Sequence, residues 1–261
     1  MRKEIRHQPG FGYPHRHYRR TDSTNTRARE LAAAGAPHGT VVTAAEQTAG
    51  RGRQGRAWTA PPGKALLYSA LVRPLDERHM MLPLSVPLAV AEAAEELAPG
   101  IECEVKWPND VLVGRRKLAG VLIEARPRDG WAVIGVGLNL AIAPEEFPRE
   151  LRDTATSLQI EGDRHFPPMR GEMAITPAVG VGGAGAATAA LNRRLEAWID
   201  ADQASVLAAW RERDALWGRE VAWEGGSGVA DGIDDRGYLV VITASGGRVT
   251  VGAGEVHLTR S

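Results

Sequence analysis

The sequence predicts an α/β body followed by a small β-barrel. Segments of strand character alternate with segments of helical character from Thr40 to Arg213. After Trp217 the texture changes to short strand-like runs separated by Gly-rich turns, the pattern of a small barrel. The 261 residues are 43% apolar and 25% charged, an ordinary soluble composition with enough apolar residues for a core. That length suits one large domain, or one of about 200 residues plus a small one. The boundary is placed near Leu216, giving a body over 1–215 and a barrel over 216–261.

Asp22-Ser23 ahead of TNTRARELAAAG reads as an N-capped helix of about three turns, stopped at Gly35. Thr40 to Glu46 reads as a strand, followed by a Gly/Arg loop from Gln47 to Ala57. Lys64 to Val72 is a second, largely buried strand. Leu84 to Leu97 is a helix in which Pro87 is tolerable only in the first turn. Glu104 to Trp107, Val111 to Val113 and Lys117 to Glu124 are short strands, the last two joined by a tight turn at Gly114-Arg115. Trp131 to Leu140 is apolar enough for a central strand. Leu191 to Ile199 and Ser205 to Arg213 are helical. The Gly, Ala and Pro-rich stretch 163–190 has no clear period and reads as a long surface loop or mobile insertion. EVAWE, GVADGID, YLVVIT, RVTVG and EVHLT supply the barrel strands.

Composition excludes several function classes. Acidic and basic residues balance at 32 each, so no global field draws the chain toward nucleic acid or a membrane. No apolar run is long enough for a bilayer span, and the charged N-terminus has no signal-peptide core. Cys103 is alone, so no internal disulfide forms and a reducing cytoplasm is the simplest location. His15 and His17 lie in a polar segment without zinc-site spacing and read as solvated. No GxSxG elbow is present.

Four constellations carry chemistry. GRGRQGR, Gly50 to Arg56, combines glycines that let backbone approach a ligand with arginines that offer forked donors, so its natural guest is an anion. Its Gly50-x-Gly52-x-x-Gly55 spacing matches a dinucleotide fingerprint. The Ala60-Pro61-Pro62-Gly63 that follows cannot start the required helix. In KWPND, Lys106 to Asp110, Pro108 biases Trp107 to an extended conformation and sets Asn109-Asp110 at a turn where they can face a cleft. Alone, turn chemistry accounts for this motif. RRKLAGVLIEA places Lys117 at a strand start, with the small pair Ala119-Gly120 behind it. The chain has only four lysines, Lys3, Lys64, Lys106 and Lys117, so a lysine in a motif hints at a site where arginine would not serve. GVGLNL ends an apolar strand on Asn139, either a satisfied structural amide or a ligand contact. Trp58 beside the Arg loop is the tryptophan to suspect of touching a ligand.

In this order and spacing the motifs resemble the biotin protein ligases, the biotin–[acetyl-CoA-carboxylase] ligases. The matching pieces are DSTN (Asp22 to Asn25), EQTAGRGRQGRAW (Glu46 to Trp58), KWPND with RRKLAG, and GVGLNL. ADGIDDRGYL (Ala230 to Leu239) and GEVHLTR (Gly254 to Arg260) match the family's C-terminal domain. The resemblance implies a mixed central sheet with flanking helices, similar to class II aminoacyl-tRNA synthetases, followed by an SH3-like barrel. It implies an enzyme that joins biotin to MgATP as biotinyl-5′-AMP and then transfers biotin to a lysine of a biotin carboxyl carrier protein. Ser23, Thr24, Asn25 and Gln47 are then biotin contacts. Arg51, Gly52 and Arg53 form the loop that closes over biotin and adenylate. Lys117, with Arg51 and Arg53, is catalytic, contacting the carboxylate and α-phosphate. Trp58, Asn139 and Asn109 lie on the nucleotide side, and Asp110 is a Mg²⁺ contact. With about 20 residues before DSTN, the expectation is a monofunctional ligase, monomer or homodimer, that binds no DNA and no membrane. The rivals are a lipoate ligase or octanoyltransferase, distinguished by which acid triggers pyrophosphate release, and a non-catalytic binder, distinguished by single-turnover adenylate formation.

Overall fold

The computed structural model describes residues 10–165, 183–252, 254 and 256–258. A seven-stranded sheet organises the body. Its strands are β1 (His15–Tyr18), β2 (Val41–Ala44), β3 (Ala65–Val72), β4 (Cys103–Lys106), β5 (Asp110–Val113), β6 (Arg116–Arg126) and β7 (Trp131–Asn139). They lie in the order β1-β2-β3-β7-β6-β5-β4. The β1–β2 pair is parallel and the others are antiparallel, so the sheet is mixed.

Alternation along the strands divides the apolar residues between two faces. Leu66, Tyr68, Ala70 and Val72 of β3, with Ile134, Val136 and Leu138 of β7, join the main core. Helices α2 (Leu82–Leu97), α4 (Gly183–Ile199) and α5 (Gln203–Glu212) contribute to that same core. On the opposite face α1 (Thr24–Ala33) lays Ala28 and Ala32 over Val42, Leu71 and Val133. Helix α1 covers only one end of this face, and the other end carries glycines.

The C-terminal strands β8 (Glu220–Trp223), β9 (Gly226–Ile233), β10 (Leu239–Thr243), β11 (Arg248–Val251) and β12 (His257–Leu258) form an antiparallel sheet in the order β11-β10-β9-β8-β12. It is joined to the body through the turn after β4, where Trp107 Nε1 donates to Gly237 O at 3.0 Å.

Several expectations require correction. The stretch 163–190 is not a loop throughout. Its first residues end α3 (Leu158–His165), its last eight open α4, and 166–182 lie outside the described residues. Helix α4 starts early because Ala187, Ala190 and Leu191 are buried in the main core. Pro87 sits inside α2 beyond its first turn, because the helix begins at Leu82 directly after a 3-10 helix, Glu77–Met81. The polar His15–Tyr18 segment, whose histidines are exposed as expected, is an edge strand. His15 Nε2 and His17 Nδ1 lie 2.8 and 2.9 Å from Thr43 Oγ1 on the neighbouring strand.

Candidate active site

Gly120 on β6 and Gly135 and Gly137 on β7 share the face that α1 leaves open. A Cβ at Gly135 would stand 2.2 Å from Asn25 Oδ1, and one at Gly137 would stand 2.3 Å from Trp58 Cε2. At Gly120 it would meet Trp58 Cζ3 at 3.1 Å and Lys117 Nζ at 3.2 Å. The bare strands thus let the start of α1 and the Trp58 ring lie directly on the sheet. Between them is a cavity of about 290 Å³. Every residue to which the resemblance gives a ligand contact lines it: Ser23, Thr24, Asn25, Gln47, Arg51, Gly52, Arg53, Trp58, Asn109, Asp110, Lys117 and Asn139.

At the α1 end, Gln47 Oε1 accepts from Thr24 N at 2.6 Å and from Thr24 Oγ1 at 2.9 Å. Ser69 Oγ lies 2.8 Å from Thr24 Oγ1 and 2.6 Å from Asn25 Oδ1. These bonds fix Thr24 and Asn25, which with Ser23 are buried at a helix N-terminus whose first N–H groups have no intrahelical acceptor. Ser69 carries a role that the motifs do not mark. Its signal was available, as a polar residue inside the apolar run KALLYSALV.

The GRGRQGR segment folds into a tight cap. Arg53–Gly55 is one 3-10 turn, Gln54 takes the left-handed conformation at φ 52°, and Gly52 N donates to Arg56 O at 2.7 Å. Arg51 Nη2 pairs with Glu124 Oε2 at 2.9 Å, and Arg53 Nη2 donates to Gly254 O at 3.3 Å. Burial makes the Arg53 charge easier to lose than usual, Asp110 opposes this and Arg56 adds to it.

Lys117 is the hub of the other end. Its Nζ lies 2.6 Å from Asp110 Oδ1 and 5.7 Å from the centroid of the Trp58 ring. Trp58 Nε1 is buried over Gly137, with no hydrogen-bond partner among the described residues. Lys106, opposite Asp110 across the β4–β5 pair, has its ammonium pKa lowered by burial, with Lys117 and Arg56 adding to the effect and Asp110 opposing it. It joins this charge cluster although its motif gave it no separate role. Asn109 Nδ2 donates to Val121 O at 2.8 Å, and Asn139 Nδ2 donates to Thr156 O at 2.8 Å, so both amides also brace the backbone. No group of three or more His, Cys, Asp or Glu is placed to hold a metal among the described residues.

One wall was not legible in the motifs. Phe147, Leu151, Thr154 and Ala155 line the cavity from an irregular segment. Lys117 N donates to Thr154 O at 2.7 Å and Thr156 N to Lys117 O at 2.9 Å, which adds this segment to the start of β6. Lys64 pins the same wall: its Nζ lies 2.5 and 2.6 Å from the two oxygens of Glu146.

Residues 17–140 match the biotin/lipoate A/B protein ligase family, and residues 218–258 match the biotin protein ligase C-terminal domain. The chain is 38% identical over 255 residues to the biotin–[acetyl-CoA-carboxylase] ligase of Mycobacterium tuberculosis, covering 91% of this chain and 86% of that protein. The chain belongs to the biotin protein ligase family. Another relative is the bifunctional ligase/repressor BirA of Bacillus subtilis, 40% identical over 148 residues; that alignment covers 54% of this chain and 45% of BirA. The fold is that of a solved family member, the biotin protein ligase from Aquifex aeolicus in complex with biotin and ATP. The TM-score is 0.74 with 28% identity, over 96% of this chain and all of that one. The mixed sheet, its flanking helices and the C-terminal antiparallel sheet are therefore the family architecture.

Proposed function

We propose that the chain forms biotinyl-5′-AMP from biotin and ATP and transfers biotin to a lysine of a biotin carboxyl carrier protein. The observation that carries this reading is the convergence of DSTN, EQTAGRGRQGRAW, KWPND, RRKLAG and GVGLNL on one cavity, around a lysine and an arginine-bearing cap. In the first step a biotin carboxylate oxygen bonds to the α-phosphorus and pyrophosphate leaves. In the second, the carrier lysine amine bonds to the acyl carbon, loses a proton, and AMP leaves. Ser23, Thr24, Asn25 and Gln47 hold the biotin head at the α1 N-terminus. Trp58, Asn109 and Asn139 lie on the nucleotide side. Lys117 sits between carboxylate and α-phosphate. Its charge, with those of Arg51 and Arg53, stabilises the negative charge that builds on the phosphoryl oxygens. The cap of residues 50–56 excludes water from an adenylate prone to hydrolysis.

Mg²⁺ enters with ATP. One or two carboxylates plus substrate phosphates suffice to bind it, so the single carboxylate of Asp110 fits that need. The body over 1–215 carries the chemistry, and 216–261 closes it from the side of Gly254. We place the protein in the cytoplasm, as a monomer or homodimer; no helix among the described residues is long and apolar enough to cross a membrane. The test is exchange of labelled pyrophosphate into ATP, with biotin and with lipoate, followed by mass spectrometry of a carrier domain. Biotin-dependent exchange and the gain of one biotin per carrier are expected. Exchange driven by lipoate and not by biotin would overturn the reading.

A further inference from the structure

Glu124 lies on β6 two residues past the cavity-lining Leu122, on the same face. It belongs to none of the contacts assigned above to biotin or ATP. Three side chains converge on its carboxylate. Arg51 Nη2 and Asn25 Nδ2 each lie 2.9 Å from Oε2, and Arg29 Nη1 lies 3.2 Å from Oε1. Asn25 and Arg29 come from α1, whereas Arg51 comes from the cap. The backbone bonds of the cap tip close on the cap itself, Gly52 N to Arg56 O and Arg56 N to Arg53 O. Arg53 reaches outside it to a neutral carbonyl at 3.3 Å, and Arg51 reaches Glu124 at 2.9 Å. The ionised contact is the stronger kind. Without the carboxylate, Arg51 and Arg29 would face each other as like charges.

We propose that Glu124 is a positioning residue that latches the GRGRQGR cap shut through Arg51 and so retains the adenylate until the carrier arrives. This rests on the ligase reading. The latch acts on escape, and its loss leaves the Arg51 charge itself in place beside the phosphoryl oxygens. Glu124→Gln, which keeps an acceptor for Asn25, therefore leaves the maximal rate of pyrophosphate release within about twofold. It raises the KM for biotin and speeds escape of preformed labelled adenylate, chased with unlabelled biotin, by about fivefold, the scale of a partly exposed ion pair.

In an Arg51→Met background, Glu124→Gln adds less than about twofold, because the latch is already open. Arg29→Met, which removes the other guanidinium from the same carboxylate, leaves escape within about twofold of wild type. Amide hydrogen exchange over residues 50–57 of the ligand-free protein speeds in Glu124→Gln and not in Arg29→Met. Wild-type escape and exchange in Glu124→Gln would overturn the latch. So would multiplicative effects in the double variant, or an Arg29→Met defect equal to that of Glu124→Gln. The exchange arm reads the latch even if the wild type formed no adenylate, a result that would overturn the ligase reading alone.

Discussion

Gly137→Ala tests whether the glycine floor sets the position of the nucleotide-side ring. A Cβ at 137 would stand 2.3 Å from Trp58 Cε2, 2.6 Å from Cζ2 and 2.7 Å from Nε1. Carbon atoms in contact sit no closer than about 3.5 Å, so the ring must retreat by about 1.2 Å. The backbone cannot supply that movement, since Trp58 N is bonded to Gly50 O at 3.0 Å. The ring must instead rotate off the sheet into the cavity, away from Gly120 and toward the place assigned to the nucleotide. A misplacement of about 1 Å near reacting groups costs up to about 10²-fold. We therefore expect kcat/KM for ATP to fall by about 10- to 100-fold in pyrophosphate exchange. Biotin binding in the absence of ATP should change little. Stability should hold as well. Alanine suits a strand better than glycine by about 0.5–1 kcal/mol, and the ring has open space to enter, so Tm should move by no more than about 4 °C. Gly185→Ala, at a helix position with nothing within 4 Å among the described residues, is the control. Wild-type kcat/KM for ATP in Gly137→Ala would refute the assignment of Trp58 to the nucleotide. A fall in Tm well beyond that range would show that the sheet, and not the ring, absorbs the clash.

Lys117→Ala should lower the rate of adenylate formation by about 10²-fold or more, the cost of removing one preorganised donor. Lys117→Arg should also be impaired, because a planar fork does not fit the point-charge position 2.6 Å from Asp110. Exposed Arg128→Ala is the control, and a wild-type burst of pyrophosphate from Lys117→Ala would make Lys117 a surface strand residue. Lys64→Met should raise the KM for ATP and leave biotin affinity unchanged, because it frees Glu146 and loosens the Phe147–Ala155 wall; unchanged ATP kinetics would remove that wall from the site. Burial pushes the Cys103 thiol up to about 12, with Glu95 acting in the same direction. The unfolded thiol titrates near about 8.5, so its contribution to stability is complete below that pH and is lost as pH rises toward 12. Cys103→Ala should therefore flatten the alkaline decline in denaturant midpoint, and iodoacetamide at pH 8 should label Cys103 only after unfolding; rapid labelling of the folded chain would contradict its burial.

What the sequence determined by itself was local. The start and stop of α1, the strands on either side of Gly114-Arg115, and the barrel runs after Trp217 each rest on residues a few positions apart, and these elements formed within a residue or two of expectation, although the Ser23 side chain makes no capping bond. The motifs GRGRQGR, KWPND, RRKLAG and GVGLNL were legible for the same reason, since each carries its chemistry within one short segment.

What tertiary structure decided was everything that depends on pairing across the chain. HRHY has no strand alternation; it is a strand because Val41–Ala44 pairs with it and Thr43 meets both histidines. The Gly/Ala run opening α4 has poor helix propensity at its glycines, about 1 kcal/mol each against alanine, and is helical where Ala187 and Ala190 are buried in the core. The 147–155 wall has no period at all and is placed by bonds from Lys117 and a clamp from Lys64. Glu124 meets Arg51 across 73 residues and Asn25 across 99. A carboxylate in a strand looks the same in sequence whether it faces water or three converging side chains. Only the folding of α1, the cap and β6 onto one another brought those partners to it.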